Sequence, residues 1–329
     1  MALLFVLLVF GVVLVNGFTD APNAVASCIS SRSMTPRGAI LLAGICNFLG
    51  ALVGCIFFSG VAQTVYLTVD FGEDSRLALT SLFAGMCAVV TWALIAFVFG
   101  IPTSESHALI SGVVGAALGG RMTVGAIRFS YIALVLVGLL LSTVPAYFIA
   151  KWTYSLILGF CSGFDRRRSM RHFLRAQRLG AASSAFLHGV QDCQKFVGVI
   201  MLGTSLYSGG GAEEFKAPVG ISLLCAAVMT LGTLIGGTRI IKKVGEEMVT
   251  LDAAAGSAAD VSSSIVLLIC SLIGIPVSTT HSKTSAMMGS GSLTHKGLDR
   301  KTVLEMVTAW VLTFPSCAIL GFILGYIFR

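Results

Sequence analysis

Hydrophobic residues in this chain come in long unbroken runs, not in the period-two alternation of a half-buried strand. The runs lie at about Ala2 to Val15, Ala39 to Val69, Leu77 to Ile101, Ala108 to Gly120, Ile127 to Phe160, Ala181 to Leu206, Val219 to Ile241, Ala258 to Ile275, Ser285 to Leu293 and Val303 to Phe328. A helix crosses ~30 Å of hydrocarbon with about 20 apolar residues, and several runs reach that length. Stretches such as Ile132 to Leu141 and Ile265 to Ile273 do not alternate, which argues against a membrane barrel. The expected fold class is an all-α polytopic membrane protein. Ala108 to Gly120 and Ser285 to Leu293 are too short to cross alone, and each follows a longer helix across an Ile-Pro step at Pro102 or Pro276. Each pair is expected to form a re-entrant hairpin with its tip inside the protein.

The polar text set inside these runs is written twice. Gly17-Phe18-Thr19-Asp20-Ala21-Pro22-Asn23 is followed by Pro102-Thr103-Ser104-Glu105-Ser106-His107, and Gly189-Val190-Gln191-Asp192-Cys193-Gln194-Lys195 by Pro276-Val277-Ser278-Thr279-Thr280-His281. Asp20 precedes His107 by 87 positions and Asp192 precedes His281 by 89. Recurrence in order, spacing and chemistry points to a duplicated unit. Repeat 1 is placed at 1–160, a basic connecting loop at 161–179 and repeat 2 at 180–329. Three spans and one hairpin per repeat give six full spans, and an odd number inverts the second repeat relative to the first.

Composition agrees: 56% of residues are hydrophobic and 11% charged, too few charges to cover a soluble domain of 329 residues. The net charge of +7 suggests anionic partners, but much of the excess sits between Asp165 and Arg178, which is first a topology signal and not a nucleic-acid patch. Placing that stretch in the cytoplasm puts Asp70 to Asp74, Glu213 and Glu214 outside and Arg239, Lys242 and Lys243 inside. Both termini then lie outside a multi-pass protein of the plasma membrane. Met1 to Val15 reads as a retained first helix. Ser208-Gly209-Gly210-Gly211 reads as a connector, and nine cysteines without a CxxC pair read as packing residues. Self-association is compatible with the sequence.

Asp20 and Asp192 are carboxylates within apolar helices, so they should face a cavity or a cation. Gly17 and Pro22 suggest local unwinding that frees carbonyls for a cation. Ser104, Ser106, Ser278, Thr279 and Thr280 stand where helices should begin, positions that suit ordinary capping and also oxyanion binding by free N–H groups. Lys195 lies opposite Asn23 in the repeat and can pair with Asp192, three residues earlier, or balance an anion's charge. His107 and His281 read as hydrogen-bonding struts for the tips, with His188 and His172 carrying less signal. Buried Ser and His also raise an intramembrane hydrolase, in which one copy should have drifted; both copies keep their chemistry, so no catalytic residue is assigned. A channel would need a continuous polar pore.

GFTDAPNAVAS and HGVQDCQKFVGV resemble the paired signatures of the inorganic phosphate transporters, as do IPTSESHALISG and IPVSTTHSKTSAMMG. The resemblance covers nearly the whole chain. It implies phosphate import by symport with sodium ions or protons, alternating access between two inverted repeats with broken helices, and no resident cofactor. On matching positions, Asp20, Asn23, Asp192 and Gln194 would be the sodium ligands. Phosphate would meet these together with Ser104, Glu105, Ser106, Lys195, Ser278, Thr279 and Thr280. Thr19 and Gln191 depart from the family's usual Asn, Glu105 from a small hydroxyl residue and Lys283 from an apolar one. Glu105 would repel an anion unless it is protonated, cation-bound or paired with a base such as Lys195 or Lys283. The departures leave sulfate as the alternative substrate.

Overall fold

The structure is a computed structural model, and it describes residues 2–69, 74–100, 103–161, 163, 166–208, 218–236, 244 and 247–329. Helix α1 (Ala2–Thr19) ends one residue before Asp20; a 3-10 turn over Ala21–Val25 and the short α2 (Ala26–Ser30) follow. Then come α3 (Pro36–Phe57), α4 (Gly60–Tyr66), α5 (Ser75–Phe99), α6 (Glu105–Arg121) and α7 (Phe129–Cys161). The second half contains α8 (Arg166–Ser208), α9 (Val219–Ile235), α10 (Ala253–Leu272), α11 (Thr279–Gly291) and α12 (Arg300–Ile327). Among the described residues there is no strand beyond two isolated bridges.

The helices begin where the side chains can satisfy their free N–H groups. Thr35 caps α3 ahead of Pro36, Asp74 accepts from the N–H groups of Arg76 and Leu77, and Asp252 and Asp299 cap α10 and α12. The break after α1 has a local cause. Pro22 has no N–H to continue the ladder, and the turn it starts leaves Asp20 between two helical segments.

Large apolar side chains stay exposed along the outer helices, as Phe148, Trp152, Val311 and Ile319 do, while many polar residues are buried in the interior. That inside-out distribution suits hydrocarbon as the surrounding solvent. Among the described residues six helical stretches are long and apolar enough to cross a membrane: α1 with its continuation into α2, α3, α5, α7, α10 and α12. The number matches expectation but the membership differs. The long hairpin arms α5 and α10 stand in that set, whereas α8 carries a charged start and a polar middle and α9 has 17 residues.

Helices exchange partners between the halves. Helix α1 packs on α9 while α8 packs on α3, and α6 packs on α12 while α11 packs on α7. Each hairpin returns to the side it came from. Gly120 near the end of α6 lies against Ser81 near the start of α5, and Gly291 at the end of α11 lies against Val249 just before α10. Asn16 reaches Asp192 and Gly203 lies against Phe5, so α1 and α8 run antiparallel.

Two expectations are corrected here. The connecting loop expected over 161–179 is helical from Arg166, because α8 is one helix of 43 residues. Its second half passes through Asp192 without a break, so only one of the two carboxylate helices is broken; the segment around Asp192 has no counterpart of Pro22. Arg171 and Arg175 project from α8 as exposed residues, and the Arg178 guanidinium donates to Ser33 O at 3.1 and 3.2 Å. Pro102, residues 70–73, Glu213, Glu214, Arg239, Lys242 and Lys243, on which part of the topology reading rests, lie outside the described residues.

Helices α3 and α8 touch backbone to backbone: a Cβ on Gly50 would sit 1.8 Å from Phe186 O, and one on Gly189 would sit 2.2 Å from Asn47 O. This approach sets the depth at which α8 presents its polar residues. Gly11, by contrast, has open space around it. Gly50→Ala is therefore expected to lower stability by about 1–3 kcal/mol through overpacking. Gly11→Ala is expected to leave it unchanged or raise it by up to ~1 kcal/mol. Thermal unfolding of the two purified variants checks the contrast.

Candidate substrate and cation site

The two written-twice motifs meet at one point in the interior, and every residue that they nominate is buried: Asp20, Asn23, Ser104, Glu105, Ser106, Asp192, Gln194, Lys195, Ser278, Thr279 and Thr280. Ser104 and Ser278 cap α6 and α11, each accepting the N–H of the histidine three residues on, at 3.3 and 3.2 Å. The two capped N-termini face each other, with the rings of His107 and His281 at a centroid distance of 4.7 Å. Trp310 and Phe314 of α12 pack on those rings. The histidines are thus held by ring contacts, and neither Ser104 nor Ser278 offers its hydroxyl to a histidine nitrogen. No Ser-His nucleophile forms.

Each motif helix reaches the hairpin tip of the other half. Lys195 donates to Asp192 Oδ1 at 2.6 Å, Ser106 Oγ at 2.6 Å and Val277 O at 2.7 Å. At the matching place Asn23 donates to Thr280 Oγ1 at 3.1 Å and lies 3.5 Å from Asp20 Oδ1. The Thr280 hydroxyl also donates to Asp20, and that of Ser106 to Val277 O at 3.1 Å. Glu105, opposite Thr279 in the repeat, accepts from the Thr19 hydroxyl at 3.3 Å. Pairing of Glu105 with Lys195 or Lys283 is not what the fold does. Lys195 is committed to Asp192, and Lys283 to Asp260. Gln194 turns back along its helix to Val190 O at 2.8 Å, and Gln191 donates to Ile275 O at 3.3 Å.

Asn16, which the sequence reading did not name, and His188, to which it gave little weight, lie at the same place. Asn16 donates to Asp192 Oδ2 at 3.1 Å, and His188 Nε2 lies 3.3 Å from the same oxygen. Each stands four residues before its half's aspartate, so the repeat spacing itself contained the signal. Asn47 presents its Oδ1 to His188 Nδ1 at 3.0 Å and commits its amide to Thr233 at 3.2 Å, which places the ring proton on Nδ1. The lone pair of Nε2 then confronts a carboxylate oxygen, an arrangement that a cation between them would relieve.

Ligand atoms of Asp20, His188 and Asp192 all lie within 4.8 Å of one another. Around them the buried oxygens Asp20 Oδ2, Asn16 Oδ1, Asn23 Oδ1 and Glu105 Oε2 have no donor. Buried acceptors are nearly always satisfied, and unsatisfied carboxylate and amide oxygens are the atom types that ligate a hard cation. Beside them a small cavity lined by Asp20, Asn23, Thr279, Thr280, His188 and Lys283 offers hydroxyls and the first N–H groups of α11, groups that suit an oxyanion.

Buried carboxylates and donorless oxygens beside a small polar cavity, built from both halves of a helical membrane protein, are the interior expected of a membrane transport protein. The profile of the phosphate transporter family matches residues 16–321, and the chain belongs to that family. A probable low-affinity inorganic phosphate transporter of Bacillus subtilis (strain 168) is 33% identical over 324 residues, 95% of this chain and 94% of its own. Another protein described in the same words, from Rhizobium meliloti (strain 1021), is 32% identical over 320 residues, 93% of this chain and 90% of its own. The family and these relatives are transporters, not enzymes. A solved structure described as the sodium-dependent phosphate transporter superposes with a TM-score of 0.89 at 21% identity, covering 99% of this chain and 98% of that one. At that identity the likeness speaks for the fold.

Breaking one side of the Lys195–Asp192 pair strands a buried charge, which typically costs 3–5 kcal/mol, whereas removing both charges does not. Lys195→Met is expected to lower the unfolding temperature markedly. Lys195→Met with Asp192→Asn should recover much of the loss, read by thermal unfolding in detergent.

Proposed function

We propose that this protein is a secondary active carrier that imports inorganic phosphate by symport with sodium ions or protons. The observation that carries the reading is the meeting of Asp20, Asp192 and His188 beneath two opposed hairpin tips, with donorless oxygens beside hydroxyl and N–H donors. Cations on Asp20, Asn23, Asp192 and Gln194, whose Oε1 is also without a donor, would compensate the anion. Phosphate would take the tip hydroxyls of Ser106, Thr279 and Thr280, the tips capped by Ser104 and Ser278, and the Lys195 charge. Glu105, lacking a basic partner among the described residues, would itself need a cation or a proton when the anion binds.

Alternating access is the mode of transport that the same geometry suits. Antiparallel α1 and α8, the exchanged helix pairs and the two hairpins that return to their own sides support two inverted repeats, 1–160 and 180–329, rocking about the shared site. The basic first turns of α8 would lie in the cytoplasm and both termini outside the plasma membrane. No resident cofactor or nucleic-acid partner enters this reading.

Radiolabelled phosphate uptake into proteoliposomes tests it, with a sodium or a proton gradient imposed separately and sulfate as competitor. Uptake driven by one gradient and not displaced by equimolar sulfate is expected. Absence of uptake under both gradients would sink the proposal, and displacement by sulfate would reassign the anion. Asp20→Asn is expected to reduce driven uptake to the level of protein-free vesicles while the variant elutes as a folded protein. Wild-type uptake by that variant would remove Asp20 from coupling.

A further inference from the structure

A second fully buried ion pair lies beside the site, and the matching positions of the repeat are apolar. Lys283 donates to Asp260 and, at 3.3 Å, to Ser184 Oγ. Ser27 donates to the same Asp260 oxygen at 2.6 Å, and Ser263 Oγ lies 3.1 Å from Ser184 Oγ. The second carboxylate oxygen, Asp260 Oδ2, is buried without a donor. One turn beyond Thr279 and Thr280 on α11, Lys283 lines the same cavity as they do, together with Asp20 and Asn23.

Carried across the repeat, Asp260, Lys283, Ser184 and Ser27 fall on Met86, Leu109, Val12 and Val199, all of them buried in a single apolar cluster. The matching place is thus filled by four apolar side chains, three from the first half and Val199 from the second. The fold does not require charge at this place. A buried ion pair is a weak stabiliser compared with an apolar filling of similar volume, so packing alone does not account for it.

We propose that the Lys283 ammonium is a tethered cation occupying an oxygen-lined site for a monovalent cation. The site is formed by the Asp260 carboxylate and the hydroxyls of Ser27 and Ser184. A carboxylate with two hydroxyls at this depth is a donor set for a hard cation such as sodium. The lysine supplies that positive charge permanently at the edge of the anion cavity. This goes beyond the transport reading, because occupancy of the site can be measured without transport.

Removing the ammonium while keeping the oxygens should open the site to a mobile ion. Purified Lys283→Ala, wild type and Asp260→Asn/Lys283→Ala are compared by thermal unfolding in sodium and choline chloride at constant ionic strength. Lys283→Ala is expected to gain ~3 °C more from sodium than wild type does, once sodium is tenfold above its dissociation constant. Asp260→Asn/Lys283→Ala should show no such excess. An equal sodium response in Lys283→Ala and wild type, or an equal excess in the double variant, overturns the proposal. So does a Lys283→Ala protein that no sodium concentration restores, with Asp260→Met/Lys283→Leu, copying Met86 and Leu109, showing whether the pocket tolerates an apolar filling.

Discussion

A carboxylate held at membrane depth must be neutralised where it lies, and the interior of this protein is organised around that requirement. Among the described residues four acidic side chains are buried, Asp20, Glu105, Asp192 and Asp260, against two buried ammonium groups, Lys195 and Lys283. Each lysine is bound to one aspartate. Asp20 and Glu105 remain, held only by neutral donors and each with one oxygen that no donor reaches. The charge deficit therefore sits on one side of the site, on the broken helix and on the tip of α6. There the carboxylates are neutral only if they hold a proton or a cation.

The backbone supplies the other half of the site. Helices α6 and α11 start inside the protein because Ser104 and Ser278 cap them there, and their N-termini converge on the carboxylates. Groups of opposite character thus lie close together: donorless oxygens, which in the proposed reading take cations, and N–H and hydroxyl groups, which in that reading take the anion. Close backbone contacts through Gly50 and Gly189 bring α8 deep enough for His188, Asp192 and Lys195 to complete it.

Much of this was legible in the residues. The doubled motifs brought the carboxylates and tips to one place, the spacing from Asp192 to Lys195 gave their ion pair, and serines before the tip helices acted as caps. Three things were not legible. The break at Asp20 was expected in both halves, but it depends on Pro22, and α8 lacks that proline. His188 carried little signal when weighed by itself, although it holds the place that Asn16 holds in the first half. The Asp260–Lys283 pair joins residues of α10 and α11 that only the tertiary fold brings together, with Ser27 and Ser184 added from elsewhere in the chain.

The central claim is that a cation at the donorless carboxylates and an anion at the tips bind as one unit. Linkage makes that measurable: if a cation prepares the anion site, the two affinities must rise together by the same factor. The direct measurement is calorimetric titration of the purified protein with inorganic phosphate, in saturating sodium, in choline and across a range of pH. The account predicts phosphate binding at least tenfold tighter in sodium or at lower pH, with that dependence lost in Asp20→Asn. Phosphate binding of equal affinity under all of these conditions would contradict it.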